Sequence, residues 1–217
     1  MKVAIVLILL GSSLTQSPQT WATTWTSSFS EVLKFPGKPQ GSTIGTWWYD
    51  WGNKLFRIDR QNGALDRYCG TTKPYANTPC TQIVTGGWRY LYFPEIKLCC
   101  KCCADANGCG VVMPTWMSTG VYKGLQTLPD GTQTKEYLVQ GVGTNYYYET
   151  AQAPVVPKRI VQETLSDMTF QQATYSSAPI PASTFALPSG IDCSSFCPTQ
   201  SVCTQVRNQS TVKAATE

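Results

Sequence analysis

Leu98-Cys99-Cys100-Lys101-Cys102-Cys103, followed by Cys109, places five of the chain's ten cysteines within eleven residues. In a reducing compartment such a run reads as metal ligation, and in an oxidising one as disulfides. If the run continues the strand before it, neighbouring side chains point to opposite faces. Cys100 and Cys102 then face one way, and Cys99 and Cys103 the other. A structural zinc site needs four thiolates converging on one ion, and an extended strand splits them. Thiols on both faces suit stapling a sheet to its flanking segments. The expectation is therefore that Cys69, Cys80, Cys99, Cys100, Cys102, Cys103, Cys109, Cys193, Cys197 and Cys203 are all oxidised, with no metal. Ten cysteines allow about 945 pairings, by the counting that gives 105 for eight, so connectivity is left open.

The N-terminus agrees with an oxidising compartment. Met1-Lys2 is followed by the apolar run Val3 to Leu10 and then by small and polar residues, the pattern of a secretory signal peptide. The run is too short to span a bilayer. Residues 1–22 are assigned to the signal. Thr20-Trp21-Ala22 fits the cleavage rule, and a cut near Ser12 or Ser13 is the alternative. Residues 23–207 then form a single β domain with a cysteine-rich C-terminal segment, and 208–217 a polar tail. No later stretch is long and apolar enough for a transmembrane segment. The chain is expected to be secreted, to the extracellular space or an endolysosomal lumen. Asn208-Gln209-Ser210 is a glycosylation sequon, with Asn208 the acceptor.

Loss of Lys2 with the signal takes the formal charge from +4 to +3. That is too weak to argue for nucleic acid or an anionic membrane, and no lysine/arginine cluster offers a track for a phosphate backbone. There is no histidine, so Ser-His-Asp and Cys-His mechanisms and histidine metal sites are excluded. Gly141-Val-Gly143 lacks the third glycine of a phosphate loop. Asp105-Ala-Asn-Gly108 resembles part of a calcium loop but lacks the later bidentate carboxylate, and reads as a turn. Asp50, Asp59, Asp66, Glu95 and Glu149 could supply a glycosidase-type pair. Pairing with Arg57, Arg60 and Arg67 is the simpler reading. The expectation is a protein that is not an enzyme and needs no cofactor.

From Thr24 onward the chain reads as short runs of β-formers separated by turn residues. Gly45 to Trp51 and Lys54 to Arg60 flank Gly52-Asn53, a hairpin signal. Trp47, Tyr49 and Trp51 share one face, as do Phe56 and Ile58 on the return strand, with Arg57 and Asp59 opposite. Leu65 to Cys69 reads as a short strand. Trp88, Tyr90 and Tyr92 share a face after the Gly86-Gly87 turn. Strands continue through Tyr122 to Thr127, Gln133 to Gln140, Asn145 to Thr150, Val155 to Thr164 and Met168 to Tyr175. The spacing of Cys193, Cys197 and Cys203 suits a short helix lying on the sheet. The fold class is mostly β: a curved antiparallel sheet or half-barrel with short covering helices, disulfide-rich.

Aromatic residues are many for one domain, and tyrosine and tryptophan offer apolar bodies with polar tips. The candidate ligand pocket is Trp47, Tyr49, Trp51, Phe56, Ile58, Trp88, Tyr90, Tyr92, Trp116, Tyr122, Tyr146 and Tyr148. Such a lining suits an amphiphile or a sugar face.

Tyr49-Asp50 with Leu55-Phe-Arg-Ile-Asp-Arg60 resembles the early hairpin of ependymin-related proteins. The aromatic strand before the cysteines, Pro114-Thr-Trp116, and Phe185-Ala-Leu-Pro188 with Cys193 are similar as well. The resemblance is dispersed over about residues 25 to 195. That family is similar in fold to bacterial lipoprotein-carrier proteins. The resemblance implies a strongly curved antiparallel sheet, secretion, glycosylation, homodimer formation and a lipid or other hydrophobic small molecule as partner. The Cys99–Cys103 cluster and the three-cysteine tail depart from the family pattern, so neither the pairing nor a dimer surface carries over. A secreted carbohydrate-binding or cell-adhesion module with exposed aromatics is the alternative.

Overall fold

Eleven strands form among the described residues. They are β1 (Thr24–Leu33), β2 (Gly41–Asp50), β3 (Leu55–Arg60), β4 (Cys80–Thr85), β5 (Trp88–Phe93), β6 (Leu98–Ala104), β7 (Val121–Thr127), β8 (Gln133–Gln140), β9 (Thr144–Thr150), β10 (Pro157–Gln162) and β11 (Ser166–Phe170). One α-helix, α1 (Val202–Ala214), follows. The computed structural model describes residues 16–33, 41–72, 78–140, 143–163 and 165–214. The apolar opening Met1–Leu10, the Pro36–Pro39 turn, and parts of the Cys69–Cys80 loop, the Gly141–Gly143 turn and the polar tail lie outside them.

All eleven strands form one antiparallel sheet in the order β6-β5-β4-β3-β2-β1-β11-β10-β9-β8-β7. The chain meanders outward from β1 to the β6 edge, crosses to the β7 edge, and meanders back until β11 pairs with β1. A flat sheet of this width would separate its edges by about 48 Å, at roughly 4.8 Å per strand. Residues 105–120 must make that crossing, and many of them are coiled into turns, including a 3₁₀ turn at Asp105–Asn107. A segment so shortened cannot reach across a flat sheet at about 3.5 Å per extended residue. The sheet is open and strongly curved, which brings its edges within reach.

Period-two alternation decides which side chains face the hollow. Trp25 and Phe29 of β1, Trp47 and Tyr49 of β2, Phe56 and Ile58 of β3, Tyr137 and Val139 of β8, Tyr147 of β9 and Met168 and Phe170 of β11 meet there in one buried cluster. The hairpin face holding Trp47, Tyr49, Phe56 and Ile58 is the apolar face expected from the sequence. Three segments cover this hollow: residues 16–23, 61–72 and 105–120. Trp21 donates its backbone N–H to Pro114 O, and Tyr49 Oη donates to Val112 O at 2.8 Å. On the other face, Arg57 donates to Thr184 O, and Phe185 is buried.

All ten cysteines are paired: Cys69–Cys80, Cys99–Cys193, Cys100–Cys197, Cys102–Cys203 and Cys103–Cys109. Strict alternation along β6 is broken. Arg89 pairs with Cys103 but Tyr90 pairs with Lys101, so Cys102 is an extra residue in the ladder. This bulge returns Cys103 to the same face as Cys100. Both join a second cluster with Leu91, Phe93 and Cys109, whereas Cys99 keeps the face opposite.

Three local expectations are corrected. The strand expected over Met168 to Tyr175 ends at Phe170, and a 3₁₀ turn occupies Gln172–Thr174. Leu65 to Cys69 is not a strand: 3₁₀ turns occupy Gly63–Leu65 and Cys69–Thr71. Asn62 caps Ala64 N, and Asp66 Oδ1 accepts from Tyr68 N and Cys69 N, the turn-forming use of these side chains. No helix covers Cys193 to Cys197. Phe196 there bridges in parallel to Lys101 beside β6. Pro198, which fixes φ and lacks a donor, separates that stretch from α1. The Gly86-Gly87 turn has φ of 56° and 75°, the pair of positive values that a type I′ hairpin needs.

Candidate functional site

The hollow holds a cavity of about 290 Å³ between the sheet and its covering segments. Trp47, Phe56, Ile58, Ile160, Met168 and Leu33 form its floor, and Trp21, Val112 and Trp116 come from the cover. Of the pocket residues named from the sequence, Trp47, Phe56, Ile58 and Trp116 line this cavity. Tyr49 is fully buried behind it and stacks on Trp25 at 5.4 Å. Trp51 packs against the same cluster from the hairpin tip, with Lys54 over its ring. Tyr122 leans on Tyr137, 5.6 Å between ring centroids.

The remaining five lie elsewhere. Trp88, Tyr90 and Tyr92 alternate with Arg89, Leu91 and Phe93, and it is the latter set that turns inward. Lys101 Nζ lies 3.7 Å from the Trp88 ring centroid on the outer face. Tyr146 and Tyr148 flank the inward Tyr147, and Tyr148 Oη donates to Glu136 on the outer face.

One end of the cavity is polar. Arg60 is buried, and its Nε donates to Glu31 Oε2 at 2.7 Å. Its Nη1 lies 3.3 Å from Asp66 Oδ2, within ion-pair range but not aligned as a hydrogen bond. Gln82 Nε2 donates to Asp66 Oδ2 at 2.7 Å, and Arg89 Nη1 donates to Gln82 Oε1 at 2.6 Å. The Arg89 guanidinium also lies over the rings of Tyr68 and Phe56. Burial pulls the Arg60 pKa down, but Glu31 and Asp66 more than offset this and hold it above its ordinary value. Burial lowers that of Arg89.

The carboxylates weighed for catalysis are dispersed. Asp59 takes both Nε and Nη2 of Arg57, and Asp66 lies beside Arg60. Asp50 accepts from Asn53, and Glu95 from Thr78. Glu149 is buried and accepts from Tyr137 Oη and the Gln19 backbone. Among the described residues no group of three or more acidic or cysteine side chains is placed to hold a metal.

Arg60 ties Glu31 and Asp66 across two segments, so breaking it leaves two buried carboxylates uncompensated. Arg60→Met is expected to destabilise by about 3–5 kcal/mol, read from the denaturant midpoint. An unchanged midpoint would contradict this reading of the polar end.

Tyrosines around the hollow make alkaline pH a second lever. Burial first, and then the Glu149 carboxylate, push the Tyr147 phenol well above its ordinary value. Burial raises Tyr49, and burial and Glu149 raise Tyr137. On the outer face, burial and Glu136 push Tyr148 up to about 12. A phenol whose pKa rises on folding is kept neutral by the fold. Its contribution is intact below about pH 10 and is lost as pH climbs from there toward the folded value. These tyrosines are expected to ionise together with unfolding, seen as tyrosinate absorbance and near-UV dichroism changing in one transition. Their gradual ionisation in a protein that keeps its dichroism would contradict this.

Sequence reasoning passed over Trp21, Ile160, Met168, Glu31, Gln82 and Arg89 as cavity residues, and named Arg60 and Asp66 as ion-pair partners instead. The alternation of Phe56, Ile58 and Arg60 was the signal for Arg60, because it places that residue on the apolar face of its own hairpin.

The sequence matches no protein-family model and no curated protein. Among solved structures, an uncharacterised conserved protein from Thermus thermophilus is similar at a TM-score of 0.50 and 11% identity, over 79% of this chain and 90% of that one. A LolA superfamily protein from Nitrosomonas europaea gives a TM-score of 0.37 at 8% identity, over 76% and 91%. A DUF1329 family protein from Desulfovibrio piger gives 0.35 at 6%, over 79% and 92%. The likeness to the Thermus protein is one of fold alone.

Proposed function

We propose that this protein is a secreted, non-enzymatic carrier that holds a lipid or other hydrophobic small molecule in the hollow of its sheet. The observation that carries the reading is the cavity walled by Trp21, Trp47, Phe56, Ile58, Trp116 and Met168. Its 290 Å³ is near the lower end of the roughly 300–1,000 Å³ usual for small-molecule sites. Affinity would come from apolar ligand area removed from water, at about 25 cal/mol per Å² before the costs of association. The adhesion alternative asks for exposed ring faces, whereas the indoles of Trp21, Trp25 and Trp47 are buried edge-on or tilted against one another.

Five disulfides support a lumenal or extracellular site of action. Among the described residues, no helix is long and apolar enough to cross a membrane. Asn208 is exposed on α1 and fits glycosylation. The signal would be removed near Ser12 or Ser13 rather than after Ala22. Gln19 N donates to Glu149 at 2.9 Å and Trp21 fills the cavity wall, and the later cut would discard both. The intact mass of the secreted chain reports the cut, and a product beginning at Thr23 would contradict the upstream site.

Ile160→Trp, at a half-buried position on the cavity floor, tests the function. It should abolish uptake of an apolar fluorophore such as N-phenyl-1-naphthylamine, by at least tenfold in affinity, while near-UV dichroism persists. Undiminished uptake in a folded variant would remove the cavity as the binding site.

A further inference from the structure

Three side chains that line the cavity carry a buried donor without an aligned hydrogen bond. Trp47 Nε1 and Trp116 Nε1 have no hydrogen-bond partner among the described residues, and neither has Arg60 Nη1. The fourth such atom is Trp25 Nε1, so every buried side-chain atom left unpaired in the described residues is a nitrogen that donates. Buried polar groups in folded proteins are paired as a rule; Arg60 Nη1 has the Asp66 carboxylate 3.3 Å away, and the two indole donors on this cavity ask for an acceptor from outside the described residues.

Several acceptors of that end are already engaged. Glu31 takes Arg60 Nε, Asp66 takes Tyr68 N, Cys69 N and Gln82 Nε2, and Gln82 Oε1 takes Arg89. Charge points the same way: Arg60, Arg67 and Arg89 line the cavity against Glu31 and Asp66, which leaves one positive charge over. Trp47 is opposite Ile58 and Arg60 opposite Gly45. Trp47 and Arg60 are thus diagonal neighbours on one face, their backbone positions roughly 7–8 Å apart, with the Phe29 ring packed over Gly45 beside them.

We propose that the cavity selects amphiphiles with a single anionic, acceptor-only headgroup, a fatty-acid carboxylate, seated against Arg60 with its oxygens accepting from the indoles of Trp47 and Trp116. The alkyl chain lies along Ile160 and Met168. At about 30 Å³ per water-sized group, the cavity volume suits a chain of about ten carbons. The inference rests on the carrier reading above.

Decanoate, methyl decanoate and 1-decanol, competing at pH 7.5 against a bound apolar fluorophore, separate the two claims. Decanoate is the best hydrated of the three, so a preference for it requires recognition of the head. The expected result is displacement by decanoate at concentrations at least tenfold lower than by the ester or the alcohol. Trp47→Phe and Trp116→Phe keep a ring and delete the N–H. Each should reduce the preference for decanoate over decanol about threefold to tenfold. Equal displacement by all three would overturn the headgroup and leave the carrier standing. A decanoate preference untouched by both substitutions would overturn the seat. Failure of all three to displace, in a protein that does not take up the fluorophore either, would overturn both claims.

Discussion

Replacing Cys99, Cys100, Cys102, Cys193, Cys197 and Cys203 together with alanine is expected to cost roughly 9 kcal/mol, whereas removing the Cys102–Cys203 pair alone should cost only about 2.5 kcal/mol. The asymmetry follows from nesting. The three bridges join β6 to the same tail, with sequence separations of 94, 97 and 101. Any one of them closes a loop near 100 residues, an entropic gain of about 4.7 kcal/mol in the chain-entropy treatment. Once one is closed, each of the others shuts a ring of only a few residues, at about 2–2.5 kcal/mol. Set against a typical net stability of about 5–15 kcal/mol, the single removal leaves a folded protein and the triple removal leaves little or nothing. The folded side loses packing as well, because Cys100, Cys102, Cys197 and Cys203 are buried with Leu91 and Phe93. Thermal melts followed by tryptophan fluorescence read both results. At about 2–4 °C per kcal/mol, the single-pair variant should melt roughly 5–10 °C lower. A sixfold variant that melts where the parent does would refute the stapling of the tail.

Trp21→Ala is expected to destabilise by about 3–5 kcal/mol and to lower the melting temperature by roughly 6–20 °C. Trp21 is 4% exposed. Its ring meets Trp25, Trp47, Tyr49 and Trp116 edge-to-face at 5.3, 5.9, 5.6 and 5.7 Å, the geometry that the ring quadrupole favours. Its Nε1 donates to Tyr147 Oη at 3.1 Å. Truncation removes a side chain that joins the covering N-terminal segment to β1, β2 and β9. It also leaves that phenol without its donor in a buried site. Trp21→Phe, which keeps a ring and loses the N–H, should cost only about 0.5–1.5 kcal/mol. A melting shift under about 2 °C for the alanine variant would show that residues 16–23 add nothing to the core.

The hairpin was legible because its cues agree: turn residues at Gly52-Asn53, alternation on both sides, and Arg57 and Asp59 on the face opposite Phe56 and Ile58. Oxidised cysteines were legible for a similar reason, since composition, N-terminus and strand geometry pointed one way. Their distribution over two faces was not. The bulge at Cys102 belongs to the pairing of β5 with β6, and a strand's own alternation cannot register an extra residue opposite its partner. In β5 the aromatic set Trp88, Tyr90 and Tyr92 faces outward. Arg89 takes the inward place because Gln82, the Cys109 carbonyl and the Tyr68 and Phe56 rings meet its guanidinium there. The polar end of the cavity draws Glu31, Arg60, Asp66, Gln82 and Arg89 from β1, β3, a turn, β4 and β5. Only the curved sheet brings them together. Trp21 sits next to a cleavage-like Ala22, and local sequence weighs that resemblance without seeing the ring's burial.

Native mass spectrometry of the protein secreted from its own cells, followed by organic extraction, tests the carrier reading most directly. The expected spectrum shows a folded protein with a discrete added mass, and the extract contains an amphiphile with an alkyl chain of defined length. A folded protein of bare polypeptide and glycan mass, which also fails to take up added fatty acid or phospholipid, would contradict it.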